Sequence, residues 1–455
     1  MRAVVAHPAV GVLLIYFVAI ALRVQYTLDY HPPAAFVNSD MDLYVGLARR
    51  LLDPNGPLGP WDVTHPLGFP AFLAVLLSVG GSLAHAGYAQ MVVSCLVPGA
   101  VGLLGAAAFG RRTGFLALIC ASVYFPFIEY GALFLSEIHF TLWLALAFAG
   151  FFAAIGARRR LVSLALAAGG GLALSVAIAM KNVGLLAALA FFAMEGVALL
   201  LRRPVDAAPA PTPTWRARLR PWLLRGALVA IGAAPLMGVM TKVCTRANEG
   251  NFCFAGNKPA ADFLLGHYGR IERIDWGPDR GHGFWFGSPG SVLRHYDERA
   301  KVAWPITDNA ANAAEAWRWI AAHPVDAVVL SLDHVYDTFF GSAMWPSFGH
   351  PSWRMAHLFQ YVFVLFLFVP TLFACARIAR AGARAFLTSR VALILSPVVA
   401  LSITVAIATG EVRYRVPFDS FFMVIVCALV AGELQAKDGA RYPRRASTNT
   451  PTTGR

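Results

Sequence analysis

The chain is poor in charge. Of its 455 residues only 14% are Asp, Glu, Lys or Arg, while 58% are hydrophobic. That balance excludes an ordinary soluble domain and indicates an all-α polytopic membrane protein. Acid is the scarcer sign, with 25 acidic against 38 basic residues and a formal net charge of +13. There are six cysteines. They show no metal-type Cys/His spacing, so no zinc module is expected. No Gly-rich phosphate loop is present, which removes the usual nucleotide cradle. No internal repeat is visible, which argues against a transporter built from paired halves. The first apolar run lacks a small-residue cleavage site and is expected to be a retained span.

What the sequence has instead is long apolar runs. A spanning helix needs roughly 20 such residues. Ten stretches qualify or nearly so: 9–28, 87–109, 114–130, 133–155, 161–180, 183–201, 222–243, 356–376, 391–409 and 416–434. About ten spans, within a range of nine to eleven, are therefore expected. The eleventh candidate, 66–83, opens His-Pro-Leu-Gly-Phe-Pro and is interrupted by Gly80 and Gly81. Basic residues in short loops stay cytoplasmic. With the N-terminus inside and 66–83 lying along the membrane, Arg111-Arg112, Arg158 to Arg160, the 202–225 segment, Arg377 to Arg390 and the tail all fall inside. Those segments with Arg2 hold 21 of the 38 basic residues. The positive surplus is thus an orientation signal, and no nucleic-acid partner is implied. If 66–83 crossed the bilayer, every later Arg cluster would flip outside.

The expected organisation follows. Residues 1–201 form an N-terminal membrane half, with an outer loop over 29–86. Residues 202–221 are a Pro/Ala-rich cytoplasmic linker, and 222–243 a span. Residues 244–355 are a loop of roughly 110 residues on the outer side, rich in Trp, that lies over the mouth of the bundle or against headgroups. Residues 356–436 return to the membrane, and 437–455 read as a disordered tail. Cys244 and Cys253 open the outer loop and are candidates to pair in an oxidising compartment. Cys95, Cys120, Cys375 and Cys427 read as small core residues.

The stretch 38–70 organises the rest. Asp40 to Leu52 reads as a short amphipathic surface helix with Ser39 or Asp40 as cap and acids in its first turn. Asp40 and Asp42 sit there. Other polar groups gather at the same outer ends: Glu129, Ser136 and Glu137; Lys181 and Asn182; Glu411, Arg413, Tyr414 and Arg415. Ionisable groups at membrane depth are functional candidates, although acids and bases at one face can also simply pair. One chemistry suits the set. A sugar carried on a polyprenyl phosphate would place its phosphate at the outer surface. Lys181, Arg413 and Arg415 would hold that phosphate and stabilise the leaving charge. Asp40 or Asp42 would act as general base on the acceptor hydroxyl. A single displacement inverts the anomeric centre. A flippase for a lipid-linked sugar, or a surface-polysaccharide polymerase or ligase, are the alternatives.

These residues resemble a known group. Asp40-x-x-x-Tyr44-x-x-x-Ala48, His65 to Pro70, Leu135-Ser136-Glu137 and Glu411 to Pro417 fall in order over nearly the whole chain. The set resembles the GT-C superfamily of polyprenyl-phosphate-sugar glycosyltransferases. Within it the chain is similar to family 39, the protein O-mannosyltransferases and bacterial aminoarabinose transferases. The resemblance implies that Asp40 is the catalytic acid position and that Tyr44, His65, Glu137, Glu411 and Tyr414 support the site. It also makes a divalent cation a candidate cofactor, though no ligand cluster decides it. Partners would be a lipid-linked donor, an envelope glycan, lipid or protein acceptor, and the bilayer of a bacterial inner membrane, with the site facing outward. Met41 stands where the protein mannosyltransferases carry Glu, so transfer of mannose to protein is not implied.

Overall fold

A computed structural model describes residues 8–38, 40–201, 215–268, 270–275, 282–286, 299–341 and 353–434. The order begins α1 (Pro8–Gln25), α2 (Asp40–Leu52), α3 (Gly68–Gly80), α4 (Leu83–Ala108), α5 (Arg111–Val123) and α6 (Phe125–Glu129). It continues α7 (Glu137–Gly156), α8 (Arg160–Met180), α9 (Val183–Leu201), α10 (Trp215–Ala247) and α11 (Pro259–Leu265). Three strands follow, β1 (Arg270–Asp275), β2 (His282–Phe286) and β3 (Arg299–Pro305). The chain closes with α12 (Asn309–Ala322), α13 (Pro324–Phe340), α14 (Trp353–Val362), α15 (Val369–Ala379), α16 (Ala383–Leu387), α17 (Arg390–Ile407), α18 (Val412–Arg415) and α19 (Asp419–Val430).

The protein is a helical, multi-pass membrane protein with one addition. The region between α10 and α14, expected to lie on the outer side, holds a small sheet in the order β2-β1-β3, β1 antiparallel to β2 and parallel to β3. Among the described residues, eight helices are long and apolar enough to cross a membrane. A bent pair, α5 with the 125–132 segment, makes a ninth if it is one span. Nine is the lower end of the expected nine to eleven; the stretch 416–434, expected to span, forms an α-helix of only 12 residues, Asp419–Val430. At 1.5 Å per residue that is about 18 Å, short of a ~30 Å core. Helix α3 has 13 residues, about 20 Å by the same rise, and is likewise too short to span alone.

The stretch 114–130 is not one straight helix. It bends by 62° at Tyr124, whose backbone is extended. Pro126 sits in the first turn of α6; it has no N–H to continue the ladder and disfavours helix just before it. The carbonyls freed at the end of α5 find a donor in Arg23, a residue the apolar reading of 9–28 passed over. Arg23 is 1% exposed. Its guanidinium donates to Ser122 O at 2.9 Å, Ala121 O at 3.3 Å, and the Ser94 carbonyl and hydroxyl at 3.1 and 3.0 Å.

Two more boundaries move. The linker 202–221 ends early, since α10 already begins at Trp215 and carries Pro221 and Pro235 within 33 residues. Residues 202–214, the tail 435–455, Ser39, Trp276 and Trp345 lie outside the described residues. Of the four cysteines read as core, Cys427 is buried, Cys120 is exposed on the bundle surface, and Cys95 and Cys375 lie between. Cys244 and Cys253 form a disulfide.

The core is one continuous apolar cluster through the bundle, in which Phe148, Phe191 and Phe421 stack edge to face. A second, smaller core between α10 and α14 joins α11, β3, α12 and α13 around Leu264, Trp319 and Leu330. At one end of the bundle Arg384 and Arg390 donate to carbonyls of Leu201 and Ala108, and Glu433 accepts from Thr113. The opposite end gathers the turns after α1, α6, α8 and α17.

Candidate functional site

At that second end the two halves of the chain meet. Arg413 Nη1 lies 3.0 Å from Asp40 Oδ2, across 373 residues of sequence. Glu411 Oε2 lies 2.7 Å from Arg413 Nε. Lys181 Nζ donates to Glu137 Oε1 at 2.9 Å. Tyr414 joins the two pairs: its ring centroid is 5.3 Å from Lys181 Nζ and 5.2 Å from the Arg413 guanidinium carbon, within cation–π range. Acids of the loop after α1 and bases of the turn after α17 thus meet at one end of the bundle, called the mouth below.

Local structure explains the convergence. Asp40 opens α2, where a first-turn acid complements the helix dipole. Helix α2 buries Met41, Tyr44, Val45, Leu47 and Ala48. Tyr44 packs edge-on to Phe69 of α3 at 5.3 Å and to His65 at 5.9 Å. Helix α3 in turn sits against the end of α8. A Cβ on Gly68 would lie 2.4 Å from Ala179 O, so only glycine allows that approach. Two residues on from Ala179 is Lys181. The segment 130–135 is pinned from α4, where Gln90 Nε2 donates to Leu133 O at 2.8 Å and Leu135 O at 3.2 Å; Glu137 follows.

Sequence reasoning missed one cation. Lys258 enters from the segment after α10 beside Asp40 and Tyr414, paired with Asp262 at 3.1 Å. The strap that carries it is tied at several points. Cys253 is bridged to Cys244, Asn257 N donates to Val63 O at 2.7 Å, and Asn257 Nδ2 donates to Asn248 Oδ1 at 2.9 Å. Gly256 has φ +158°, and a Cβ there would lie 3.2 Å from Asn182 Nδ2 and 3.4 Å from Pro66 N. The only early signal was the position of Lys258 shortly after the two loop cysteines.

The electrostatics are those of coupled pairs. Burial alone would raise the Asp40 pKa, but Arg413, His65 and Lys258 together hold it well below the ordinary carboxylate range. Burial opposes the charge on Lys258 too, yet Asp262, Tyr414 and Asp40 hold its pKa above the usual lysine value. Burial, followed by Asp40 and Glu137, raises the Tyr44 hydroxyl above its ordinary value. Two buried acceptors, Glu137 Oε2 and Asn182 Oδ1, find no hydrogen-bond partner among the described residues.

Not every expected member is present. Arg415 is turned away from the mouth and is 0% exposed. Its Nε donates to Asp419 Oδ1 at 2.8 Å, and its Nη1 donates to Gln360 Oε1 at 2.7 Å and Phe339 O at 3.1 Å. Asp419 also accepts from Tyr124 at 2.6 Å. Two positions along a helix point away from each other, so Arg413 and Arg415 cannot serve one phosphate. The same spacing separates Asp40 from Asp42, which is exposed and makes no ion pair among the described residues. The side chains that the structure brings together as a candidate site are therefore Asp40, Lys181, Arg413, Glu137, Glu411, Tyr414, Tyr44, His65 and Lys258. Among the described residues no group of three or more His, Cys, Asp or Glu could hold a metal ion. Asp40 is matched to Arg413 and Glu137 to Lys181, so these acids do not form a ligand set.

No protein-family profile matches the chain, and no curated protein matches it in sequence. Solved structures do. The oligosaccharyltransferase of Archaeoglobus fulgidus, tethered with an acceptor peptide, superposes with a TM-score of 0.51 at 11% identity, covering 95% of this chain and 52% of its own. The same archaeal enzyme, with an inhibitory peptide and a dolichol-phosphate, gives 0.52 at 12%, covering 92% and 50%. A complex with Zn and sulfate gives 0.50 at 11%. The chain shares its fold with these archaeal enzymes. It spans about half the length of those enzymes, and at this identity the fold is what is shared.

Proposed function

We propose that this GT-C-type chain is an inverting glycosyltransferase. It moves a sugar from a polyprenyl-phosphate donor to an acceptor hydroxyl or phosphate at the outer face of a bacterial inner membrane. The observation that carries the reading is the 3.0 Å contact between Asp40 and Arg413 at the same mouth as Lys181 and Lys258. The disulfide at the start of the outer region supports the outward orientation, because such bonds persist in oxidising compartments. The family 39 assignment remains part of this proposal.

The resting site balances each cation with an acid: Arg413 with Asp40, Lys181 with Glu137, Lys258 with Asp262. A donor phosphate competes with those carboxylates for the same cations. Arg413 suits it best, through its bidentate fork. As Arg413 turns to the phosphate, Asp40 loses its strongest partner and becomes more basic. It then accepts the proton of the acceptor hydroxyl as that oxygen attacks the anomeric carbon. The bond from that carbon to the phosphate oxygen breaks, and Arg413, Lys181 and Lys258 stabilise the charge left on the phosphate. The unpartnered acceptors Glu137 Oε2 and Asn182 Oδ1 face the need of a sugar for hydrogen-bond acceptors. A divalent cation finds no group of three or more His, Cys, Asp or Glu among the described residues, and no step is routed through one.

Arg413→Ala tests the phosphate assignment. Its KM for donor is expected to rise at least tenfold, and unchanged donor affinity would remove Arg413 from that role.

A further inference from the structure

A second basic feature lies outside this site. Helix α10 is a long span little covered by protein, with 17% of its most apolar window buried. Along one face of its outer end run Met237 and Gly238, then Thr241 and Lys242, then Thr245 and Arg246, line above line at helical spacing. They line a cleft of about 680 Å³. The disulfide folds the following strap back on the helix, and Phe252 and Phe254 close the other wall. Phe252 is 79% exposed. Cys253, between the two rings, donates its N–H to Thr245 Oγ1 at 3.2 Å.

The cleft is graded as a lipid is graded. Its membrane end is thioether and glycine; a Cβ on Gly238 would meet nothing within 4 Å. Its outer end, about 12 Å further along the helix, carries two cations and two hydroxyls. No carboxylate lines it. Lys242 and Arg246 are exposed, and neither makes an ion pair among the described residues. Two cations at the end of a span would by themselves be ordinary snorkelling. The aromatic side chains tied back by the disulfide are what turn that helix face into a shallow, open cleft.

We propose that this cleft binds an anionic glycerophospholipid of the outer leaflet, with its phosphodiester between Lys242 and Arg246, its headgroup hydroxyls on Thr241 and Thr245, and an acyl chain along Met237 and Gly238. A bulk phospholipid fits better than the polyprenyl carrier by mass action, since it is the abundant phosphate-bearing lipid at that surface. The cleft also lacks any acid that could serve as a base for transfer. Phe254 packs on the main core and is followed by Gly256 and Lys258, so a bound lipid would steady the strap that carries Lys258. The site itself does not depend on the glycosyltransferase reading.

The test uses the full chain, purified in detergent and re-supplied with phosphatidylglycerol, phosphatidylcholine or undecaprenyl phosphate, with retained lipid read by native mass spectrometry. Phosphatidylglycerol is expected to be retained in preference to phosphatidylcholine. The exposed double variant Lys242→Gln/Arg246→Gln should lose about thirtyfold in that affinity, taking roughly 1 kcal/mol per basic residue. Its melting temperature should stay near that of the parent. Cys244→Ser/Cys253→Ser, which frees the wall, should weaken retention as well. Equal retention of phosphatidylcholine, unchanged retention in the charge variant, or preferential capture of undecaprenyl phosphate would each overturn the proposal.

Discussion

Asp40→Asn separates catalysis from stability more cleanly than any other change. The substitution keeps the shape and removes the charge. Arg413 keeps Glu411 at 2.7 Å, so the guanidinium is not left alone. A hydrogen bond to a charged group contributes roughly 1.5–3 kcal/mol. The Asp40 side chain is 27% exposed, and water takes over part of the lost interaction, so a loss of about 1–2 kcal/mol of stability is expected. Catalysis should suffer far more. A positioned general base contributes on the order of 10²–10⁴ in rate, or about 2.7–5.4 kcal/mol of barrier. The assay is mass analysis of envelope lipids and glycans in a deletion strain carrying either chain at matched membrane levels. The transferred sugar should vanish in the strain carrying Asp40→Asn while the protein remains monodisperse. Wild-type product levels from that variant would show that Asp40 is not the base.

Other outcomes follow from the same geometry. Arg415→Ala should fail in folding rather than in donor binding, because it strands Asp419, a fully buried partner. Breaking such a pair costs about 3–5 kcal/mol, and a well-folded variant with only a raised donor KM would refute the structural assignment. The pH profile tests the exchange of partners at Asp40, whose pKa is lowered in the folded chain. A depressed carboxylate gives stability that is complete above its ordinary pKa and lost as pH falls through the lowered one. The acid limb of kcat/KM, set by free enzyme, should therefore lie below the usual carboxylate range, and the limb of kcat should lie higher once donor has taken Arg413. Coincident limbs would count against the exchange. Removing the Cys244–Cys253 bridge, which spans 9 residues, should lower stability by roughly 2.7 kcal/mol on the chain-entropy estimate. Thermal melts with and without reductant check it, and alkylation without reductant should label neither cysteine.

The sequence alone determined the class of the molecule. Apolar runs of spanning length mark membrane helices, and the unequal placement of Arg is the basis of the proposed orientation. It also singled out Asp40, Lys181 and Arg413, since charge is rare enough in this chain for each outer turn to stand out. Tertiary structure decided the rest. Whether Arg413 or Arg415 faces the mouth depends on the phase of one short helix against Asp419 and Gln360, and a two-residue shift reverses direction. The same phase separates Asp40 from Asp42. The stretch 114–130 reads as one span in sequence; the structure breaks it ahead of Pro126, and Arg23 reaching from another helix satisfies the freed carbonyls. Lys258 was invisible because it is ordinary in sequence; a disulfide, an asparagine ladder and a glycine approach bring it to Asp40. Local pattern fixes which segments lie in lipid, whereas long-range contacts choose which of two neighbouring charges meets its partner.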